Sequence, residues 1–251
     1  QEAEYVGAPD EYSQGHVPGA VYVDWTSDIT DPGNPVPAQL APRARFADAM
    51  GQRGIGSDTD VVVVDHTGGH FATRLWWALR YYGHKRVAVL DGGFAKWSTE
   101  KRPLTSEEPH DERLVFSPVP HPELLIDAAG VAHVSANATA RIIDARDADQ
   151  YRGEVIRGTR GGHIPGAINI PAKSLFDDEG TWKSVEELRL ILSAGGVDGG
   201  KRVVAYCNGG VTATAVLFAL ELTGQRKYAN YDGSWNEWGE RADLPIAQGG
   251  G

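Results

Sequence analysis

The chain has 251 residues, of which 41% are hydrophobic and 23% charged, as in ordinary globular proteins. Its formal net charge of −10 argues against nucleic acid as a partner, because phosphate binding needs a basic face. An acidic chain is also poorly suited to an anionic lipid surface, and no run approaches the roughly 20 apolar residues of a membrane span. The single cysteine excludes an internal disulfide, and the first four residues show no signal-peptide character. We therefore expect a cytoplasmic protein.

Hydrophobic runs and turn residues predict strands that alternate with helices, which indicates an α/β fold with parallel sheets. A proline-rich stretch at 30–42 predicts a surface loop. In the first half, periodicity predicts helices at 43–50 and 72–82 and strands at 61–64 and 87–90. In the second half, it predicts helices at 126–132, 185–192 and 212–222, a strand at 141–144 and a strand that runs into Cys207. Residues 105–122 are expected to link a domain at 1–104 to a domain at 123–251.

The two halves share turn motifs and glycines, so the sequence predicts a duplicated domain. His16-Val-Pro-Gly-Ala matches His163-Ile-Pro-Gly-Ala, 147 residues later. Further identities fall in one register of 141 residues without a gap: Gly68 with Gly209, Gly69 with Gly210, Ala72 with Ala213, Gly83 with Gly224, Asp91 with Asp232, Gly92 with Gly233 and Trp97 with Trp238. The segment 126–146 has no counterpart in the first half. We therefore expect the native chain to extend before Gln1.

The only cysteine, Cys207, follows a β-branched run and precedes two glycines and a helical segment. In an open α/β sheet, this order places Cys207 at the carboxyl edge, where ligands bind. The glycines allow several N–H groups to converge, and these groups and the helix N-terminus favour a thiolate. We therefore predict a catalytic Cys207 held by the residues that follow it: Asn208, Gly209, Gly210, Val211, Thr212 and Ala213. The alternative is a buried cysteine that only fills space.

The first copy has His66 where the second has Cys207. One copy therefore keeps the predicted loop but lacks the thiol. We infer one active copy and one structural copy, with the site near the interface between them.

Four stretches together resemble the rhodanese superfamily, specifically the tandem-domain thiosulfate and 3-mercaptopyruvate sulfurtransferases. They are Gly-His-Ile-Pro-Gly-Ala at 162–167, Asp-Ala-Arg at 144–146, the loop at 207–213 and Tyr-Asp-Gly-Ser-Trp at 231–235. The resemblance implies two rhodanese-like domains, each a parallel sheet with helices on both faces, of which the second is catalytic. It implies that Cys207 takes a sulfane sulfur from a small anionic donor, as a persulfide, and passes it to cyanide or a thiol. No metal or organic cofactor is needed, and we expect a monomer or weak dimer.

The chain departs from the family pattern where the donor binds. Gln150 stands where family members often carry an arginine for the donor's anionic group, which leaves Arg152, Arg157 and Arg160 as candidates in the same segment. Gly209 stands where mercaptopyruvate enzymes often carry a serine, and the loop lacks the basic residues frequent in thiosulfate enzymes. The preferred donor therefore stays open.

His16 matches a histidine that the resemblance places in a catalytic relay. The alternative is a purely structural role, in which the His-x-Pro-Gly motif forms a turn before a strand.

Two other functions remain alternatives. A phosphatase of the Cys-x5-Arg type needs an arginine six residues after the cysteine, and Ala213 occupies that position. A non-catalytic rhodanese-fold binding module would lack sulfur transfer altogether, and reaction with thiosulfate followed by intact mass would distinguish it from an enzyme.

Overall fold

The computed structural model describes residues 7–109 and 112–250. The predictions about the start of the chain lie outside these residues. In the described residues, the helices are α1 (Pro9–Gln14), α2 (Arg43–Gln52), α3 (Ala72–Tyr81), α4 (Gly93–Thr99), α5 (Ala128–Asn137), α6 (Ala148–Arg152), α7 (Val185–Ala194), α8 (Ala213–Leu222) and α9 (Ser234–Trp238). The strands are β1 (Val61–Val63), β2 (Val87–Val89), β3 (Leu125–Ile126), β4 (Ala140–Asp144), β5 (Ala167–Asn169), β6 (Arg202–Tyr206) and β7 (Tyr228–Tyr231).

The strands form two parallel sheets, one in each copy. The second copy has five strands in the order β3-β7-β6-β4-β5, and the first has β1 paired with β2 within residues 7–109. Strand β6 lies at the centre, where Val204 pairs with Ile142 on β4 and with Ala229 on β7. Because every pair is parallel, the carboxyl ends of the strands meet at one edge. The predicted α/β architecture is confirmed.

The apolar run of β6 is explained by its burial. Residues 203–206 are all buried, and so is α8 from Ala213 to Leu220. A central parallel strand that is covered on both faces is apolar throughout rather than alternating. The core around β6 continues into the first copy, where Trp76 packs edge-on against Phe218 with ring centroids 4.9 Å apart.

The two copies meet through equivalent elements. Helices α3 and α8, which are 141 residues apart, pack against each other, and the hydroxyls of Thr73 and Thr214 lie 2.9 Å apart. The Asp91 carboxylate accepts the Trp182 N–H at 2.9 Å, and that of Asp232 accepts the Leu40 N–H at 2.7 Å. Each copy therefore holds a loop of the other by the same kind of contact.

The largest correction concerns the helix predicted at 126–132. Leu125 and Ile126 instead form β3, which pairs with β7, and the helix runs from Ala128 to Asn137. Asp127 begins this helix, since its side chain accepts the Gly130 N–H at 2.8 Å. The short strand depends on a partner about one hundred residues away in the sequence, which local periodicity does not report.

The segment predicted as a linker packs along the first copy in its described part. The Leu114 N–H donates to the Gly51 carbonyl at 3.0 Å and the Val119 N–H to the Tyr82 carbonyl at 2.9 Å. Phe116 is buried against the ring of Phe46. Residues 110 and 111 of this segment lie outside the described residues. No helix within 7–109 or 112–250 is long and apolar enough to cross a membrane.

Candidate active site at the end of β6

Cys207 directly follows β6 and is 2% exposed. It lines a cavity of about 780 Å³ between the two copies. The second copy contributes Cys207, Asn208, Gly209, Val211, Thr212 and Arg157 to the wall. The first copy contributes His16, His66, Phe71 and residues 61–63 of β1, among others. The predicted loop and the position of the missing thiol in the first copy therefore face one space.

Three carbonyl groups of the Cys207 loop, those of Cys207, Asn208 and Val211, are hydrogen-bonded to groups of the protein. The carbonyls of Cys207 and Asn208 accept the N–H groups of Trp235 and Asn236, at 3.0 and 2.8 Å. The Val211 carbonyl accepts the Thr214 N–H at 3.1 Å and its hydroxyl at 2.6 Å. Because a trans peptide places its C=O and N–H on opposite sides, these contacts turn the N–H groups toward the cavity.

The N–H groups of residues 208–213 have no acceptor among residues 7–109 and 112–250. Within the part of the chain that the structure describes, none of them donates to a protein acceptor, whereas the Cys207 N–H donates to Ser234 Oγ at 3.1 Å. Convergent N–H groups at the start of a ten-residue helix form an anion site. The geometry can therefore stabilise negative charge on the Cys207 sulfur or on an atom bound to it.

The equivalent loop of the first copy is filled by its own carboxylate. Asp65, 141 residues before Tyr206, accepts the N–H groups of Gly69, Phe71 and Ala72, each at 2.8 Å. It also accepts the Thr67 N–H at 3.0 Å. The loop of the first copy thus binds an internal carboxylate, whereas the equivalent loop beside Cys207 has no such acceptor among the described residues. Sequence reasoning missed Asp65, although an acidic residue just before a Gly-Gly loop was a usable signal.

Buried polar side chains next to the end of β6 are hydrogen-bonded to one another. The Tyr206 hydroxyl donates to the Asp144 carboxylate at 2.6 Å, and Arg146 pairs with the same carboxylate at 2.6 Å. Burial raises the pKa of Tyr206, and Asp144 raises it further, so the hydroxyl stays protonated and donates. The Arg146 guanidinium also lies 4.2 Å from the Trp235 ring. Arg146 is therefore engaged within the fold and does not line the cavity.

The structure separates the three candidate arginines. Arg157 lines the cavity, is exposed, and makes no ion pair or hydrogen bond with any described residue. Arg152 lies outside the cavity and pairs with Glu154 at 2.7 Å. Arg160 also lies outside and donates to main-chain carbonyls, including those of Trp238 at 2.8 Å and Leu244 at 3.0 Å. Gln150 is buried on α6 and does not line the cavity.

His16 lines the cavity, but its ring is held by the main chain. Its two ring nitrogens lie 2.9 Å from the Tyr12 carbonyl and 3.2 Å from the Glu107 carbonyl, and the ring stacks on Tyr12 at 3.8 Å. His163 repeats this arrangement, with Nδ1 2.8 Å from the Tyr151 carbonyl and a 3.8 Å stack on Tyr151. The shared geometry favours the structural role of the motif.

The described residues contain no group of three or more His, Cys, Asp or Glu side chains placed to hold a metal ion. The chemistry that this site offers is that of a single sulfur atom beside oriented N–H donors, with a free guanidinium in the same cavity.

Comparisons with known proteins point to one family. The Rhodanese-like domain model matches residues 6–100 and 129–241. The chain is 39% identical over 242 residues to the 3-mercaptopyruvate sulfurtransferase of Escherichia coli, covering 94% of this chain and 84% of that protein. It is 37% identical over 252 residues to the thiosulfate sulfurtransferase of Bos taurus, covering 97% and 84%. The crystal structure of SseA from Escherichia coli matches with a TM-score of 0.82 and 37% identity, over 90% of this chain and 86% of that one. The chain therefore belongs to the rhodanese family.

Proposed function

We propose that the protein is a sulfurtransferase that carries a sulfane sulfur as a persulfide on Cys207. The observation that carries the proposal is the set of unoccupied N–H groups at 208–213 around the only cysteine. Each hydrogen bond from such a group to an anion contributes about 1.5–3 kcal/mol. The site therefore suits an anionic persulfide better than a neutral thiol.

The reaction has two balanced steps. The Cys207 thiolate attacks the outer sulfur of thiosulfate, the sulfur–sulfur bond breaks, and sulfite leaves with the electron pair. An acceptor such as cyanide or a thiolate then attacks the outer sulfur of the persulfide, and the Cys207 thiolate is released. With 3-mercaptopyruvate as the donor, the bond that breaks is carbon–sulfur, and the carbon takes up a proton to give pyruvate. Neither route needs an external oxidant or reductant.

Arg157 is the residue we assign to the anionic group of the donor. It is the candidate arginine that lines the cavity with Cys207, and its guanidinium is free for a sulfonate or carboxylate. His16 contributes to the cavity wall and to the turn that precedes residue 20. A cytoplasmic location and a monomeric or weakly dimeric state remain predictions.

The test is sulfur loading followed by intact mass. Wild-type protein is incubated with thiosulfate or with 3-mercaptopyruvate, desalted and weighed, with Cys207→Ser as the control. We expect wild type to gain the mass of one sulfur atom and to lose it when cyanide is added. Comparison of the two loading rates identifies the preferred donor.

The non-catalytic binding module is the competing outcome of this experiment. If neither donor adds a sulfur atom to wild-type protein at any concentration, sulfur transfer is refuted for these donors and the binding module is favoured.

A further inference from the structure

Arg74 lies on α3 of the first copy but reaches the Cys207 loop of the second copy. It has no exposed surface. Its Nη1 donates to the Asp232 carboxylate and to the Gly210 carbonyl at 3.2 Å, and its Nη2 donates to the Ala38 carbonyl at 2.7 Å. A buried charge is tolerated only when it is paired and hydrogen-bonded, and these contacts fix the guanidinium in one place.

The contact breaks the symmetry between the copies. Helices α3 and α8 are equivalent, yet the residue of α8 that corresponds to Arg74 is Ala215. Asp91, the counterpart of Asp232, therefore receives no arginine from α8. The arginine is directed only at the copy that contains the cysteine.

The Gly210 carbonyl is held from two sides. Asn230 Nδ2 donates to it at 2.9 Å, in addition to Arg74. Gly210 has a φ of +70°, and a Cβ at this position would come within 2.6 Å of the Asp232 carbonyl oxygen. The loop therefore lies directly against Asp232, which the guanidinium holds in turn.

We propose that Arg74 is a positioning residue for the anion site at Cys207. Because the 210–211 peptide is planar and trans, a fixed Gly210 carbonyl directs the Val211 N–H to the opposite side, toward the cavity that Val211 lines. A cationic donor on the carbonyl also polarises the peptide and strengthens its N–H as a donor. The inference rests on the proposed function, since the anion is the thiolate or persulfide of Cys207. It gives the copy without a cysteine a part in the reaction.

The test compares variants by the reactivity of Cys207. Arg74→Met alone would leave the Asp232 carboxylate buried without its cation, so the main variant is Arg74→Met combined with Asp232→Asn. The rate of alkylation of sulfur-free protein by iodoacetamide is measured against pH, together with the rate of sulfur loading from thiosulfate. We expect the pH midpoint of alkylation to rise by about half a unit or more and loading to slow by about tenfold, less than removal of a whole oxyanion donor causes.

Two further variants separate positioning from general packing. Arg80→Met removes another arginine of α3, which pairs with Glu221 on α8 at 3.8 Å and has no contact with the loop. We expect its alkylation midpoint and loading rate to match wild type. Arg74→Lys keeps a cation beside Asp232 and should therefore fold, but its ammonium cannot reach all three acceptors, so an intermediate midpoint is expected.

The outcomes are distinct. A folded double variant, or a folded Arg74→Lys, with the wild-type midpoint and loading rate overturns the proposal and leaves Arg74 a purely structural residue. If the double variant does not fold, the midpoint and loading rate of Arg74→Lys test the proposal instead. A raised midpoint in protein that never loads sulfur would refute the proposed function while supporting the positioning role.

Discussion

The loops at 65–72 and 207–213 occupy equivalent positions in the two copies, but their N–H groups are used differently. Both follow a parallel strand and lead into a ten-residue helix, and both present several N–H groups. In the first loop, Asp65 accepts four of these groups, so the anion belongs to the chain itself. In the second, the equivalent residue is Tyr206, whose hydroxyl turns away to Asp144.

The two copies differ in what accepts the N–H groups of this loop. Both loops present several N–H groups that can bind an anion, so these groups alone do not make an active site. The second copy differs in two ways. No carboxylate of the described residues accepts the N–H groups of residues 208–213, and the sulfur atom of Cys207 belongs to the same loop. In the first copy, the Asp65 side chain fills the loop. The first copy also supplies part of the cavity wall, and its Arg74 contacts the loop of the second copy.

The largest expected effect is that of Cys207→Ser. A serine hydroxyl is not ionised near neutral pH and forms no persulfide, so sulfur transfer should fall by at least about a thousandfold. The free energy of unfolding should change by less than about 1 kcal/mol, because the exchange alters volume little. Cyanide-dependent turnover and urea unfolding measure the two quantities. Turnover near that of wild type would show that Cys207 does not carry the sulfur.

Asp65→Ala tests how much the Asp65 carboxylate stabilises the loop at 65–72. Loss of the carboxylate leaves at least four N–H groups without an acceptor, and we expect the free energy of unfolding to fall by about 2 kcal/mol. Asp58→Ala, at an exposed position nearby, is the matched control and should have little effect. Urea unfolding gives both values.

The same variant also tests whether the first loop can bind an anion from solution. The N–H groups that Asp65 accepts in wild type are free to bind an anion in Asp65→Ala. Sulfate should therefore raise the thermal midpoint of this variant by more than it raises that of wild type. Equal responses to sulfate would contradict the idea that the carboxylate occupies a nest.

Arg157→Gln should have the smallest effect of the three. Removal of the free guanidinium weakens binding of the anionic donor, so we expect KM for the donor to rise by about fivefold to tenfold with kcat nearly unchanged. Arg152→Gln is the matched control, because Arg152 pairs with Glu154 outside the cavity and its loss should leave KM unchanged. If both variants had the same KM, Arg157 would have no special role in donor binding.

Much of the fold could be predicted because its strands and helices have strong local patterns. The apolar residues of β6 and α8 are visible in the sequence, and the identities at an offset of 141 residues indicate the duplication. The short strand β3 could not be predicted in this way, because two residues have no periodicity and their partner lies on β7.

The candidate site was predicted less evenly. Cys207 and its loop followed from the order of strand, glycines and helix. The three arginines were candidates by sequence distance alone. Arg157 lines the cavity, whereas Arg160, three residues later, donates to the Trp238 carbonyl outside it. Arg74 gave no local signal at all, since its contacts on Gly210 and Asp232 lie more than 130 residues further along the chain.

By itself, the sequence determined that the chain repeats an α/β unit and that one copy ends its central strand at a cysteine. These features depend on residues close together in the chain, where side-chain period and backbone preference act. The packing of the two copies sets which N–H groups have no acceptor among the described residues, which candidate arginine lines the cavity, and that the Arg74 guanidinium of one copy contacts the loop of the other. Those choices depend on hydrogen-bond partners brought together by packing, and the order of residues does not state them.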